Sequence, residues 1–264
     1  MELSFTKMNG AGNDFVVLDN RAGSLDLGRD QIALLCDRHR GVGADGLLVV
    51  EPAVDGGDYR MRYYNADGGE AEMCGNGARC FARFARQLGG HGDSLAFETP
   101  AGLISAAFEG DEVALLMSEP KDAAGPVPIE AAGSTWEVHS LNTGVPHAVV
   151  FVENLDAIDV VGAGRALRFH PAFAPSGTNV NFVRVEAPGH LRIRTYERGV
   201  EGETLACGTG VTAAALIHAQ LSGVSSPVSV LVAGGDTLRV RFGGPEGVIL
   251  VGPADFVFDG RISL

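Results

Sequence analysis

The chain has 264 residues, a hydrophobic fraction of 45%, a charged fraction of 20% and a formal net charge of −13. These values are typical of a soluble globular protein, and the length suits two domains of about 130 residues or one large domain. The negative charge argues against nucleic acid or an anionic membrane as a partner. The N-terminus has no basic segment followed by an apolar run, and no long apolar stretch occurs, so the sequence predicts neither a secretory signal nor a membrane span.

Four cysteines and two lysines limit the chemistry. The cysteines (Cys36, Cys74, Cys80 and Cys207) do not form the dense framework of a secreted disulfide protein, so we expect a reducing cytoplasm. Neither Cys-x-x-Cys nor His-x-x-x-His spacing is present, which argues against a zinc site, and no metal is expected. Lys7 and Lys121 are the only lysines, and neither lies in a context that suggests a pyridoxal phosphate Schiff base. The sequence therefore favours chemistry without a cofactor.

The first half is predicted to contain several strands and two helices. A short helix is predicted near Gln31–Arg38, and a longer one begins at Cys74 and stops at the glycine pair Gly89-Gly90. The predicted strands lie near Ser4–Lys7, Phe15–Leu18, Leu47–Val50, Tyr59–Tyr64, Leu95–Glu98, Leu103–Phe108 and Glu112–Met117. The Pro-, Gly- and Ala-rich segment from Pro120 to Gly133 is predicted to be the linker between two halves.

The second half repeats this order. Its helix, Val211 to Leu221, is apolar nearly all round, which predicts a buried helix that ends near Ser222-Gly223. Its predicted strands lie near Trp136–Ser140, Ala148–Val152, Asn181–Val185, Leu191–Tyr196, Val228–Val232, Thr237–Phe242 and Val248–Val251. Many antiparallel strands with one such helix per half predict an α+β fold made twice, each half a curled, barrel-like sheet around a central helix. The expected halves are 1–118 and 119–252.

Two short motifs support this duplication. Glu72-Met-Cys74-Gly-Asn-Gly-Ala-Arg79 and Leu205-Ala-Cys207-Gly-Thr-Gly-Val-Thr212 are near copies whose cysteines lie 133 positions apart, about half the chain length. The same offset relates Asn9-Gly10 to Asn142-Thr143. The chain is therefore predicted to be one unit written twice, and each copy contributes one cysteine.

A Cys-Gly-x-Gly turn at a helix start combines three useful properties. The helix N-terminus favours a thiolate, the glycines allow close approach of a ligand, and backbone N–H groups can bind a carboxylate. A thiolate base and a thiol acid suit a stereocentre that loses a proton on one face and gains one on the other. Cys74 and Cys207 are the predicted pair. Cys36 and Cys80 are predicted to be buried structural cysteines, since Cys80 has no counterpart in the second helix, where Ala213 stands.

Six motifs, in order, resemble those of the diaminopimelate epimerase family. They are Asn9-Gly-Ala-Gly-Asn-Asp-Phe15, Asn65-Ala-Asp-Gly68, Cys74-Gly-Asn-Gly-Ala-Arg79, Gly144-Val-Pro-His147, Tyr196-Glu-Arg-Gly199 and Ala206-Cys-Gly-Thr-Gly210. The resemblance covers nearly the whole chain. It implies a cofactor-independent epimerase that interconverts LL- and meso-2,6-diaminopimelate in lysine and peptidoglycan synthesis. It also implies a homodimer, and a last strand, near 253–264, that returns to the first half.

The resemblance further implies roles for individual residues. Cys74 and Cys207 would be the acid–base pair, supported by His147 and Glu197. The substrate-binding positions would be Asn13, Asn65, Gly75, Asn76, Asn179, Glu197, Arg198, Gly208 and Thr209. A substrate with two carboxylates and two amino groups calls for an arginine and for acceptors of ammonium N–H, which agrees with this set. Val145, Gly69 and Gly46 depart from residues common at these positions in the family.

Three alternatives stay open at this point. A proline or hydroxyproline racemase would share the two-thiol chemistry, although the Asn9–Phe15 opening and the shorter chain disfavour it. A phenazine-type isomerase of the same broad fold would use a carboxylate in place of the thiols. A thiol redox switch or small-ligand binding protein would explain a reactive pair but not two matching carboxylate turns.

Overall fold

A computed structural model describes residues 1–71, 73–89 and 91–264 of the chain. The chain divides into two compact units. The first contains Met1–Leu115 and Gly252–Leu264, and the second contains Leu116–Val251. Gly90, part of the predicted helix stop, and Glu72, part of the first repeat motif, lie outside the described residues.

Strands and helices alternate in the same order along both parts of the chain. The elements up to residue 116 are β1 (Glu2–Gly10), β2 (Asn13–Asp19), α1 (Arg29–Cys36), β3 (Gly46–Pro52), β4 (Tyr59–Asn65), β5 (Glu70–Ala71), α2 (Gly75–Gly89), β6 (Ser94–Thr99), β7 (Gly102–Glu109) and β8 (Glu112–Leu116). The elements that follow are β9 (Lys121–Ala131), β10 (Ser134–Asn142), β11 (Pro146–Phe151), α3 (Val160–Arg168), β12 (Asn179–Ala187), β13 (His190–Glu197), β14 (Gly202–Thr204), α4 (Gly208–Ser222), β15 (Val228–Leu231), β16 (Thr237–Gly244), β17 (Gly247–Pro253) and β18 (Asp255–Ser263).

The pairing pattern of the strands is the same in the two units. In the first unit, β1–β2 is antiparallel, β2–β3 parallel, β3–β4 antiparallel, β4–β6 parallel, and β6–β7 and β7–β8 antiparallel. In the second unit, β10–β11, β11–β12, β12–β13, β13–β15, β15–β16 and β16–β17 follow in the same senses. The duplication predicted from the cysteine motifs therefore extends to the whole topology.

The strands of each unit surround one helix. Helix α2 packs against β1, β2, β3, β4, β6 and β7, and α4 packs against β10, β11, β12, β13, β15 and β16. A helix that meets so many successive strands requires a sheet that curls around it. The side chains of α4 are buried from Val211 to Ala215, as its all-apolar pattern predicts. The predicted α+β class, made twice, is confirmed.

The segment predicted to be a linker is instead a strand. β9 covers Lys121–Ala131 and pairs antiparallel with β10, just as β18 pairs antiparallel with β1. It carries Pro126 and Pro128 and is exposed along most of its length. Proline lacks an N–H donor, so it is tolerated in an edge strand, where one row of hydrogen bonds is not needed. The composition that suggested a linker is therefore the composition of an edge strand.

Helix α3 was not predicted from the sequence. Gly162 and Gly164 lower its intrinsic helix propensity. Asp159 caps its first turn, accepting a hydrogen bond from the Gly162 amide at 2.9 Å. A Cβ at position 164 would collide with the Tyr196 ring, so glycine allows α3 to lie close against β13. Among the described residues, no helix combines the length and the apolar character needed to cross a bilayer.

Candidate active site

The first group of predicted site residues begins at the β1–β2 hairpin. Gly10 pairs with Asn13 across a two-residue turn in which Ala11 and Gly12 both have positive φ, 61° and 92°. Two such residues form the tight turn that suits a twisted hairpin. The turn places Asn13 at the first position of β2, directly after the Asn9-Gly-Ala-Gly motif. A Cβ on Gly10 would lie 2.7 Å from the Asn76 carbonyl oxygen, so the hairpin and the first turn of α2 touch here.

Asn13 and Asn76 are joined by a hydrogen bond. The Asn76 amide nitrogen donates to Asn13 Oδ1 at 3.0 Å, and Asn13 Nδ2 donates to Asp45 Oδ2 at 2.6 Å. Arg79, a buried side chain of α2, donates to Asn76 Oδ1 at 3.2 Å. Cys74 lies immediately before α2, and its carbonyl oxygen accepts from the Ala78 amide at 2.7 Å. The first unit therefore brings Asn13, Asn76 and the Cys74 turn together.

Asn65 and Gly46 lie where β4 and β3 pair. Asn65 is exposed at the end of β4 and accepts a hydrogen bond from the Tyr63 hydroxyl at 2.9 Å. Gly46 pairs with Asn65. A Cβ on Gly46 would lie 2.7 Å from the Tyr63 ring and 2.6 Å from the Tyr64 carbonyl oxygen. Glycine at position 46 therefore leaves room for the Tyr63 ring.

Cys36 and Cys80 differ from a reactive thiol in their surroundings. Burial raises the pKa of the Cys80 thiol to about 12 and that of the Cys36 thiol to about 11. A raised thiol pKa leaves almost no thiolate near neutral pH, and the thiolate is the reactive form. These values agree with the interpretation of both as structural cysteines.

The second group is arranged around the start of α4. Cys207 is the N-cap residue of α4 and is buried, and its Sγ lies 3.5 Å from Thr209 Oγ1. The Thr143 hydroxyl donates to the Thr209 carbonyl oxygen at 2.9 Å, which ties the β10–β11 loop to this turn. A thiol at a helix N-cap lies beside the positive end of the helix dipole, where an anion is stabilised.

Asn179 connects two other predicted site segments. Its Nδ2 donates to the Pro146 carbonyl oxygen at 3.0 Å, and its Oδ1 accepts from the Arg198 amide at 2.9 Å. The start of β11, which carries His147, and the turn that carries Arg198 are therefore held by one side chain. The Arg198 guanidinium donates to the Ser176 carbonyl oxygen at 3.3 Å.

His147 is buried and neutral. Burial is the main cause that lowers the pKa of its imidazole, to about 3, and the neighbouring Arg198 guanidinium adds to the effect. Its Nδ1 lies 3.1 Å from Asn181 Nδ2. Among the described residues, its Nε2 has no hydrogen-bond partner. A buried nitrogen of this kind is rare and marks a site where a further group is expected.

Glu197 lies at the end of β13, beside Arg198. Burial raises the pKa of its carboxyl group, although the Thr204 hydroxyl opposes the shift by donating to Oε2 at 2.9 Å. A carboxyl group with a raised pKa exchanges protons closer to neutral pH than an exposed one, as general acid–base chemistry requires. The second unit therefore places His147, Asn179, Glu197, Arg198 and Cys207 on neighbouring segments.

Sequence reasoning missed several residues that hold the predicted set in place. Asp45, Arg79 and Asn181 bond to Asn13, Asn76 and His147, and Thr195 bonds to Asn181. Asn181 carried a signal, since it follows Asn179 by two positions in the buried first part of the strand and so lies on the same face. Arg79 carried none, because a single arginine in an amphipathic helix is usually on its exposed side. Within the described residues, no group of three or more His, Cys, Asp or Glu side chains is arranged to hold a metal ion.

Comparisons with known proteins identify the family to which the chain belongs. The family model of diaminopimelate epimerase matches residues 5–122 and 139–257. A diaminopimelate epimerase from Chlorobaculum tepidum is 45% identical over 262 residues, which is 97% of this chain and 100% of the relative.

Solved structures at lower identity share the fold. A phenazine biosynthesis protein of the PhzF family from Bacillus anthracis is 16% identical, with a TM-score of 0.75 and full coverage of both chains. A hydroxyproline epimerase from Agrobacterium vitis is 20% identical, with a TM-score of 0.68 and coverage of 100% of this chain and 93% of that one. At these identities the likeness concerns the fold alone. The family match and the close relative together establish that the chain belongs to the diaminopimelate epimerase family.

Proposed function

We propose that the chain is an isomerase that interconverts LL- and meso-2,6-diaminopimelate by proton transfer at one α-carbon. The observation that carries the proposal is that both units have the same Cys-Gly-x-Gly turn before a buried helix, α2 or α4. Inversion at an α-carbon needs one group that removes the proton and a second that delivers a proton to the other face. A duplicated fold with one thiol per copy supplies such a pair.

The proposed reaction is a transfer of protons by two cysteines and needs no cofactor. One cysteine reacts as the thiolate and takes the α-proton, and the C–H electron pair moves into the carboxylate to form a planar dianion. The other cysteine, as the thiol, gives its proton to the opposite face of the same carbon. The first-turn amides at Gly75-Asn76 and Gly208-Thr209 are proposed to bind the carboxylate and to stabilise its added charge. The two thiols end with their protonation states exchanged.

The remaining predicted residues are proposed to bind the rest of the substrate. Arg198 would pair with the distal carboxylate as a planar fork. Asn13, Asn65 and Asn179, with the carboxylate of Glu197, would accept or donate hydrogen bonds to the amino and carboxylate groups. His147 and Glu197 are also proposed to support the thiols. The pathway would be lysine and peptidoglycan synthesis in the cytoplasm.

We further propose that the chain forms a homodimer. β18 is nine residues long and is exposed at Phe256, Val257 and Phe258, and among the described residues it pairs with β1 alone. An edge strand with an exposed apolar run attracts another strand or surface, and a second copy would cover it. Sedimentation of the wild type and of Val257→Asp tests this, and a wild type that stays monomeric at micromolar concentration would contradict it.

Isotope exchange tests the reaction. The reduced protein is incubated in D₂O with LL-diaminopimelate, and separately with L-proline and trans-4-hydroxy-L-proline, and the reaction is stopped early. We expect meso product with deuterium at the inverted centre and almost no deuterium in recovered substrate, because a thiol holds a single proton. Deuterium in recovered substrate, or product that keeps its original hydrogen, would contradict two-thiol catalysis. Turnover of the proline compounds instead would favour the racemase alternative.

A further inference from the structure

We propose that Asn181, held in turn by Thr195, is a positioning residue that fixes His147 as the neutral tautomer with its proton on Nε2. His147 then offers one N–H donor to an anion in the site. The pair lies on neighbouring strands, with His147 on β11 and Asn181 on β12, and the parallel pairing of these strands places Ala148 beside Val180.

The orientation of the Asn181 amide follows from its neighbours. Asn181 Nδ2 lies 3.0 Å from the Ala148 carbonyl oxygen, and Asn181 Oδ1 lies 3.0 Å from Thr195 Oγ1. A carbonyl oxygen only accepts hydrogen bonds, so the nitrogen of the amide faces Ala148 and the oxygen faces the threonine hydroxyl. All three residues are buried. A flipped amide would set two acceptors against each other with no water to relieve them.

This orientation determines the proton position on His147. The same Asn181 Nδ2 lies 3.1 Å from His147 Nδ1. Because Nδ2 donates, Nδ1 accepts and carries no proton, and a neutral imidazole then has its proton on Nε2. His147 is 1% exposed, and Nε2 has no partner among the described residues. The Nε2–H is thus a buried donor that stabilises a negative charge, either on a thiolate or on the substrate.

The second glycine of the Cys-Gly-Thr-Gly motif leaves room for this pair. A Cβ on Gly210 would collide with Asn181 Oδ1 and would lie 3.4 Å from His147 Cε1. In the first unit, a Cβ on Gly77 would instead meet Leu48 and the Phe15 ring, at 3.2 and 3.4 Å. Gly77 and Gly210 therefore make room for different neighbouring side chains. The asparagine–histidine pair belongs to the second unit, so the two thiol turns are not equivalent in their surroundings.

Nitrogen NMR of the full chain tests the tautomer directly. The protein is labelled with ¹⁵N-histidine, and the resonance of His147 is assigned by its loss in His147→Gln. We expect a pyrrole-type Nε2 and a pyridine-type Nδ1 in the wild type. In Asn181→Asp the new carboxylate only accepts, so Nδ1 should become the protonated nitrogen. A wild type with protonated Nδ1, or an Asn181→Asp protein that keeps the wild-type pattern, would overturn the proposal.

Kinetics connect the tautomer to the reaction, and this arm alone rests on the proposed function. Asn181→Asp should lower kcat about 10- to 100-fold with a smaller change in KM, since moving the proton to Nδ1 removes the Nε2–H donor that stabilises the negative charge. Thr195→Val should change the His147 NMR pattern and kcat in the same direction as Asn181→Asp. Thr195→Ser should give wild-type values for both because it keeps the hydroxyl. Thr6→Val, which loses a hydroxyl bond to Asp259 in the first unit, is the matched control and should leave the His147 signal unchanged.

The NMR experiment and the kinetic experiment test separate claims. A wild type without epimerase activity whose His147 tautomer still switches in Asn181→Asp would reject the proposed function and keep the positioning role. A switched tautomer with unchanged kcat in an active enzyme would reject the catalytic importance of Asn181.

Discussion

Asn13 Nδ2 donates to Asp45 Oδ2 at 2.6 Å, and this contact sets the direction of a chain of hydrogen bonds in the first unit. A carboxylate only accepts and a guanidinium only donates. With Asp45 at one end and Arg79 at the other, Asn13 and Asn76 each have one possible amide orientation. Arg38 holds Asp45 from the opposite side, through a bond of 2.9 Å to Oδ1.

Replacing Asp45 should therefore weaken substrate binding. In Asp45→Asn the new amide can donate, so Asn13 is free to flip and to present the wrong atom. We expect KM to rise about tenfold with little change in kcat, the pattern for lost ground-state binding, worth about 1.4 kcal/mol. Steady-state kinetics measure this. Asp156→Asn, which removes an exposed partner of Arg192, is the control and should behave as the wild type. An unchanged KM in Asp45→Asn would refute the positioning role.

The thiols should each be indispensable. In Cys74→Ser and in Cys207→Ser a hydroxyl replaces a thiol and is a much weaker acid, so we expect epimerisation to fall by about 10²–10⁴-fold or more. Circular dichroism and thermal unfolding should show an intact fold. Cys36→Ala removes a buried thiol from the core of the first unit and should keep full activity. If either serine variant kept more than about a tenth of the activity, its cysteine would not be an acid or base in the reaction.

The duplicated fold was predictable because the cysteine motifs repeat at a fixed offset and the strands alternate regularly. The strand β9 was not, because Pro126, Pro128 and the small residues between them have the same composition as a linker. In the structure β9 lies beside β10 as β18 lies beside β1. This equivalence shows that β9 is an edge strand.

The candidate site likewise contains residues that could be predicted from the sequence and residues that could not. Residues in the Cys-Gly turns and beside them, such as Asn76 and Glu197, could be proposed from local motifs. Asp45 and Thr195 could not, since each acts through one hydrogen bond to a residue far away in the chain: Asp45 to Asn13 and Thr195 to Asn181. Long-range polar contacts leave no periodic signal in a single sequence. They depend on strand register, which sequence patterns predict only coarsely.

The function of Arg198 should depend on the geometry of its guanidinium group and not on its positive charge alone. Arg198→Lys keeps the charge but loses the planar fork that pairs with a carboxylate through two bonds. We expect a marked rise in KM for diaminopimelate. Arg192→Lys, an exposed ion pair with Asp156, is the matched control and should have a normal KM. In addition, L-lysine, which lacks the second carboxylate, should be turned over far more slowly than diaminopimelate by the wild type. Comparable turnover would exclude Arg198 as the distal carboxylate site.

Asp14 should be important for stability through a partly buried ion pair. Lys7 Nζ lies 2.7 Å from Asp14 Oδ2, with 8% and 20% of the two side chains exposed, and Arg38 lies 2.7 Å from Oδ1. Burial alone would raise the pKa of Asp14, but the hydrogen bonds from Arg38 and Lys7 outweigh it and hold the pKa well below its usual range.

Asp14→Asn leaves Lys7 buried without its counter-charge, so we expect the free energy of unfolding to fall by about 3 kcal/mol. The exposed pair of Arg29 with Asp67 provides the comparison, and Asp67→Asn should change stability by less than about 1 kcal/mol. Urea unfolding of both variants gives the two values. Equal effects would mean that burial of the Lys7 pair is unimportant.

The neutral state of His147 should make stability depend on pH. Burial and the Arg198 guanidinium lower its pKa from 6.5 to about 3 in the folded chain. Between these values the unfolded chain binds a proton at this residue and the folded chain does not, so the stability that the neutral ring contributes is present above pH 6.5 and is lost as the pH falls toward 3. The slope is at most about 1.4 kcal/mol per pH unit from one group.

Comparing the wild type with His147→Gln separates the pH dependence due to His147 from that due to the titrating carboxylates. Burial of Glu197 acts in the opposite sense, since its raised pKa favours the folded chain at lower pH. In His147→Gln no ring titrates, so the difference in unfolding free energy between wild type and variant should shrink as the pH falls from 7 toward 4. The buried Asn181 contact is lost in the variant at every pH and shifts the curve without tilting it. A wild-type curve parallel to that of His147→Gln across this range would mean that the folded chain accepts the proton, and that His147 is not held neutral.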